Sequence, residues 1–202
     1  MHLTISQFKL TLLRWGYALL AISRIYSIWS KLHRVLFDRA ARKVQLPTFK
    51  NVEEIVPYVR GMVWRPDGPK DLWDAICTPE MVWLRYLTEQ NHRVVGDCDE
   101  HAVFWSNVIQ KSIETGVWQS RIEDPDFLSI SWTDHDGKSS GHNVCLLKLG
   151  DIYGYVDYDL PIWCGATIED VVMSVLRSYG GINLIGWTVM SPTLKLREFF
   201  IP

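Results

Sequence analysis

A chain of 202 residues that is 48% hydrophobic and 22% charged can bury one real core, and this composition excludes a disordered polypeptide. The formal net charge of −2 is unevenly spread: residues 1–50 hold nine Lys/Arg against one acid, Asp38, so the rest of the chain carries the acidic excess. That asymmetry describes a basic arm on an acidic body, and the acidic body argues against a broad phosphate-tracking groove for nucleic acid. Ten tryptophans call for a well-packed core or an aromatic-lined groove. The four cysteines, Cys77, Cys98, Cys145 and Cys164, form no C-x-x-C pair in a chain long for a disulfide scaffold. Free thiols and a cytoplasmic setting follow as the expectation.

Residues 5–44 read as one long helix or two shorter ones. Leu12, Trp15, Leu19, Ile22 and Tyr26, then Trp29, Leu32 and Leu36, recur at helical spacing, and Pro47 ends the region. The stretch Leu10–Trp29 is a poor membrane span, because Arg14 and Arg24 interrupt it and a central arginine costs about 2.5–3.5 kcal/mol on insertion scales. It is an equally poor signal peptide, lacking a clear small-residue cleavage site. Residues 1–45 are therefore expected as a basic amphipathic helical arm and residues 46–202 as the folded domain. The arm packs on its own domain in the favoured reading. Docking on a membrane surface or on a partner is the other.

A short helix is expected over 51–59, a loop over Gly61–Asp67, a turn at Pro66–Pro69, and helical pieces over Asp71–Ile76 and Pro79–Thr88. Thr78 is the N-cap of the last of these, with Pro79 at its first position. Asp97 then caps the central helix, which places Cys98 in the first turn. Ala102, Trp105, Val108, Ile109 and Ile113 follow at helical spacing, and Gly116 supplies the stop. Phe127–Thr133 reads as a strand, Asp134–Gly141 as a turn and Asn143–Leu149 as the hairpin partner. Gly150-Asp151 is a second turn, and Ile152–Tyr158 a third strand. A helix over 167–178, capped by Thr167, and a last strand over Ile182–Met190 complete the chain. Helices followed by an antiparallel sheet describe an α+β domain, with the Cys98 helix packed on the sheet.

The chemistry concentrates in Gly96-Asp97-Cys98-Asp99-Glu100-His101-Ala102, Gly141-His142-Asn143-Val144 and Tyr155-Val156-Asp157-Tyr158. A thiol needs a base to become a good nucleophile, and the base needs a third group to orient it. Cys98 at a helix N-terminus sits at the positive end of the macrodipole, which favours a thiolate. Nearby amides can serve as an oxyanion hole. Asp97, Asp99 and Glu100 oppose the thiolate unless they point away. Asp157, in an apolar strand, needs a partner, and a histidine on the neighbouring strand can be that partner. Asp159, two residues on, is its rival.

This ordered set of Cys98, His142 and Asp157 resembles the transglutaminase-like cysteine peptidase superfamily. Asp71-Leu72-Trp73 and Thr78-Pro79-Glu80 resemble the family's lead-in, and the likeness covers roughly residues 55–165. It implies a papain-like core with Cys98 as nucleophile, His142 as base and Asp157 as orienter. The implied activity is cysteine-dependent hydrolysis of an amide bond in a protein or peptide, through an acyl-enzyme. Transfer of the acyl group to an amine uses the same triad, and a vestigial triad would leave a partner-binding domain. Asn143 departs from the family, where a small residue and an aromatic often follow the histidine. Trp64, Gln90, Asn91 and His92 are candidates for a second oxyanion donor. No cofactor or metal is expected. Cys98 and His101, with Asp99 or His135, lack the matched second pair of a zinc site. Asp67, Asp71 and Asp74 read better as a solvated acidic face than as calcium ligands.

Overall fold

Alternating apolar residues build the hairpin at the centre of the fold. In the computed structural model, which describes residues 5–23, 41, 43–61, 63–64, 77–88 and 95–202, β3 (Ile122–Thr133) pairs antiparallel with β4 (Ser139–Leu149). Asp134 makes their turn: its Oδ1 accepts from the amides of Asp136 and Lys138, both at 2.9 Å, and Gly137 takes a φ of +69°. The turn is therefore tighter than the 134–141 expected from sequence, and His142 lies inside β4 with Ile130 opposite. After Gly150 (φ +58°), β5 (Ile152–Val156) pairs with β4. The sheet continues through β6 (Ile162–Gly165) on one side and β7 (Asn183–Met190) and β8 (Leu196–Phe200) on the other. Its order is β6-β5-β4-β3-β7-β8, with antiparallel neighbours throughout.

Among the described residues, five helices accompany the strands: α1 (Ile5–Ser23), α2 (Val52–Val59), α3 (Pro79–Thr88), α4 (Cys98–Glu114) and α5 (Ile168–Ser178). The architecture is α+β. Each face of the sheet buries its own apolar set. Leu128, Ile130, Val144, Leu146 and Tyr155 pack against Val171, Val172, Val175 and Leu176 of α5. On the other face, Cys145, Leu147 and Val156 meet Phe104, Trp105, Val108 and Ile109 of α4, with α2 behind them. Burying each of these large side chains contributes roughly 1.5–3 kcal/mol, so the two faces together fix where α4 and β4 lie.

Several expectations are corrected. β6 and β8 were not anticipated, and Ile182–Met190 is not the last strand. β6 has four residues, and all five of β8 are exposed, so neither carries the period-2 signal of a half-buried strand. The expected loop over Gly61–Asp67 contains β1 (Val63–Trp64), paired parallel with β2 (Val95–Gly96). The third strand stops at Val156, leaving Asp157 and Tyr158 just beyond its end. The helices over 51–59, 79–88 and 167–178 are present, with Met81 N–H donating to Thr78 Oγ1 at 3.2 Å. Of the expected arm, α1 lies against the sheet: Lys9 donates to the Gly137 carbonyl at 2.9 Å and Arg14 to that of Leu184 at 3.1 Å. Residues 1–4, 24–40 and 42 of the arm, the Pro66–Pro69 turn and the piece over 71–76 lie outside the described residues. Among the described residues, no helix is long and apolar enough to cross a membrane.

Candidate active site

Cys98 is the first residue of α4, and the sequence around it sets up the helix start. Asp97 accepts from the Asp99 amide at 3.1 Å, and Glu100 Oε2 accepts from the Asp97 amide at 3.0 Å, forming a capping box. Asp99 Oδ1 accepts from the Glu100 amide at 2.9 Å, and Arg85 stands 3.7 Å from Glu100. The three carboxylates are thus tied to the helix start. This engagement also narrows the choice of oxyanion donors, because the Asp99 and Glu100 amides already have acceptors. Asp97, Asp99 and Glu100 are the group among the described residues whose ligand atoms, all within 4.8 Å, approach a metal-like spacing. Asp97 Oδ1, Asp99 Oδ1 and Glu100 Oε2 serve the helix start, and His135, set aside above as a zinc ligand, sits in the hairpin turn. Asp67, Asp71 and Asp74 lie outside the described residues.

His142 and Asp157 are brought together. Nε2 of His142 lies 2.9 Å from Asp157 Oδ2, both side chains being largely buried. A carboxylate accepts, so Nε2 carries the proton and Nδ1 is the acceptor. Tyr179, the C-cap of α5, donates its hydroxyl to the same Oδ2, and its ring lies 4.0 Å from the imidazole. Burial, then the bond to Asp157, pushes the Tyr179 phenol well up, so it stays a donor. Trp105, fully buried in α4, donates Nε1 to the Asp157 carbonyl at 3.1 Å and so ties that residue's backbone to the helix that Cys98 opens. The rival, Asp159, pairs instead with Arg60 at 2.7 Å on the surface.

Strand alternation decides what meets the sulfur. His142 shares the parity of Val144 and Leu146, on the α5 face. Asn143 shares that of Cys145 and Leu147, on the α4 face. Asn143 Nδ2 accordingly donates to Cys98 Sγ at 3.6 Å. Tyr158 stands between the two sides, its ring 4.7 Å from that of His101 and 6.1 Å from that of His142. His101, one turn along α4 from Cys98, is 1% exposed with neither ring nitrogen hydrogen-bonded. Burial lowers its pKa to about 4, so it is a neutral imidazole.

Sequence reasoning missed Tyr179, which lies 22 residues from Asp157 and follows an ordinary amphipathic helix. It registered Asn143 only as a departure from a pattern. The alternation of β4 was the available signal for that residue. Of the oxyanion candidates, Gln90, Asn91 and His92 lie outside the described residues, and the Trp64 backbone pairs with that of Gly96. Of the other thiols, burial pushes those of Cys145 and Cys164 up, and Arg85 donates to Cys77 at 3.3 Å. No protein-family model matches this chain, and no curated protein matches it.

Proposed function

We propose that this chain is a cysteine-dependent hydrolase of amide bonds, with a papain-like core and an acyl-enzyme on Cys98. The observation that carries the reading is the pairing made by consecutive residues of β4. His142 is held by Asp157 at 2.9 Å, and Asn143 touches the sulfur of a cysteine that opens a capped helix. The Cys98 thiolate attacks the carbonyl carbon of a protein or peptide substrate, forming a C–S bond as the carbonyl electron pair moves to oxygen. The tetrahedral adduct collapses, the C–N bond breaks, and the imidazolium of His142 gives its proton to the departing amine. Water, deprotonated by His142, then releases the acid and restores the thiolate. Asp157 holds the imidazole in the required tautomer, and Tyr179 holds Asp157. The Tyr158 ring, just beyond β5, lies 6.1 Å from that of His142, and the mechanism requires Cys98 Sγ and His142 Nδ1 to close to hydrogen-bond distance when substrate binds.

The opposite directions taken by His142 and Asn143 favour one competing reading, a partner-binding domain with a vestigial triad. The pH dependence of iodoacetamide alkylation, read at each cysteine by mass spectrometry, separates the two. The hydrolase reading expects Cys98 alone to react fast below about pH 7, as a depressed-pKa thiolate does. It expects His142→Ala to abolish that reactivity, and Cys98→Ala to abolish turnover while the fold persists. Alkylation of Cys98 at the rate of an ordinary thiol in both proteins moves the binding reading ahead.

A further inference from the structure

We infer that Asn143 is a catalytic residue, the side-chain donor that first holds the Cys98 thiolate and then the oxyanion of the tetrahedral adduct. The inference rests on the hydrolase reading and adds to it a part that the chemistry requires and the helix start supplies poorly. The amides of Asp99 and Glu100 are already bonded to carboxylates at 3.1 and 2.9 Å. Beside the Cys98 amide, a second donor must therefore come from outside the helix. Asn143 Nδ2 lies 3.6 Å from Cys98 Sγ, and it is the β4 side chain that alternation directs to that face beside the nucleophile.

The geometry suits both stages. In the resting protein an N–H donated to sulfur favours the thiolate over the thiol. When the thiolate attacks, the C–S bond forms and the negative charge moves from sulfur to the carbonyl oxygen. That oxygen is then two bonds from the sulfur, within the reach of an amide already beside it. The donor follows the charge without leaving its place on a rigid central strand, as oxyanion stabilisation demands. Asn143 is partly buried, so the bond is made in a medium of lower dielectric than water. The position next to His142 couples the two functions: one strand residue orients toward the Asp157 pair, and its neighbour toward the nucleophile.

Two reactions of the full-length protein distinguish this role from a structural one. Alkylation by iodoacetamide consumes the thiolate with no carbonyl and no oxyanion. Acylation by p-nitrophenyl acetate, followed as a burst of p-nitrophenolate, passes through the tetrahedral adduct. Both are measured for Cys98 at about pH 10, where an ordinary thiol is largely ionised. Asn143→Ala is expected to leave alkylation there within about twofold and to slow acylation roughly 100-fold. Asn143→Asp, isosteric but without the donor, is expected to slow acylation at least as much. It is also expected to move the inflection of the alkylation profile to higher pH. The isosteric variant covers the case in which the alanine variant does not fold. A ratio of acylation to alkylation unchanged from wild type in a folded variant overturns the inference. Ordinary alkylation of wild-type Cys98, indifferent to His142, defeats the hydrolase reading instead. That result is read at lower pH and is distinguishable from the ratio.

Discussion

Tyr179 shows how a residue outside the recognised motif can control one inside it. Its hydroxyl shares Asp157 Oδ2 with His142, and its ring packs on the imidazole at 4.0 Å. Removing the hydroxyl leaves Asp157 one donor short in a largely buried place. Tyr179→Phe is expected to cost about 1–3 kcal/mol of stability, as loss of a hydrogen bond to a charged group does. It is also expected to broaden the orientation of His142. Urea unfolding measures the first. The second appears as slower Cys98 alkylation near neutral pH, with the rate at about pH 10 unchanged. Equal loss at both pH values would mean that the tyrosine only supports the fold.

At the scale of elements, β5 owes its place in part to a close approach to β6. A Cβ added to Gly154 would come within 2.6 Å of the Ile162 carbonyl and of the Trp163 ring on β6. The carbonyl is backbone, held by the strand pairing of Gly154 with Trp163, and cannot move aside cheaply. Gly154→Ala is expected to destabilise by about 1–3 kcal/mol, the usual cost of overpacking. Because Asp157 follows β5 directly, the same variant should raise hydrogen exchange in β6 and disturb the His142 ring. Thermal unfolding and exchange at Trp163 and Cys164 provide the check. Three helices were readable because each carries its own start signal: Thr78, Asp97 and Thr167 cap as their residue type suggests, and Asn51 caps α2 without having been read as a cap. β6 and β8 were not readable, because a short or wholly exposed edge strand has no alternation to show. What holds them is the hydrogen-bond ladder of their neighbour.

Across the whole molecule, two buried titrating groups act oppositely on stability. Burial lowers the pKa of His101 from an ordinary 6.5 to about 4. Between those values the unfolded chain binds a proton that the folded one refuses, so stability from this group rises with pH and is lost on acidification. Burial raises the Asp126 carboxyl to about 6, despite Arg197 at 3.3 Å. Between about 4 and 6 the folded chain keeps a proton that the unfolded one has released, so this contribution falls as pH rises. The two offset each other in wild type. His101→Gln is expected to remove the acid-side loss, improving stability at pH 5 relative to pH 7 by on the order of 2 kcal/mol. Asp126→Asn should change that difference with the opposite sign. Urea midpoints at the two pH values test both, and a His101→Gln difference equal to wild type would show that His101 does not govern the acid limb.

The sequence by itself determined most of the local structures and which side chains are candidates for chemistry. Capping residues and helical spacing placed α3, α4 and α5, and alternation with Asp-Gly and Gly-Asp turns placed most of β3, β4, β5 and β7. Cys98 and Asp157 were legible as candidates because a thiol at a capped helix start and a carboxylate in an apolar strand are hard to explain as packing, and His142 only through its place between them in the chain. Only the tertiary structure decided which groups meet. Whether Asp157 or Asp159 pairs with His142 depends on where β5 ends. Whether His142 or Asn143 touches the sulfur depends on which face of β4 receives α4. These are outcomes of packing two apolar faces against helices far apart in the chain, and a one-residue change in register reverses them.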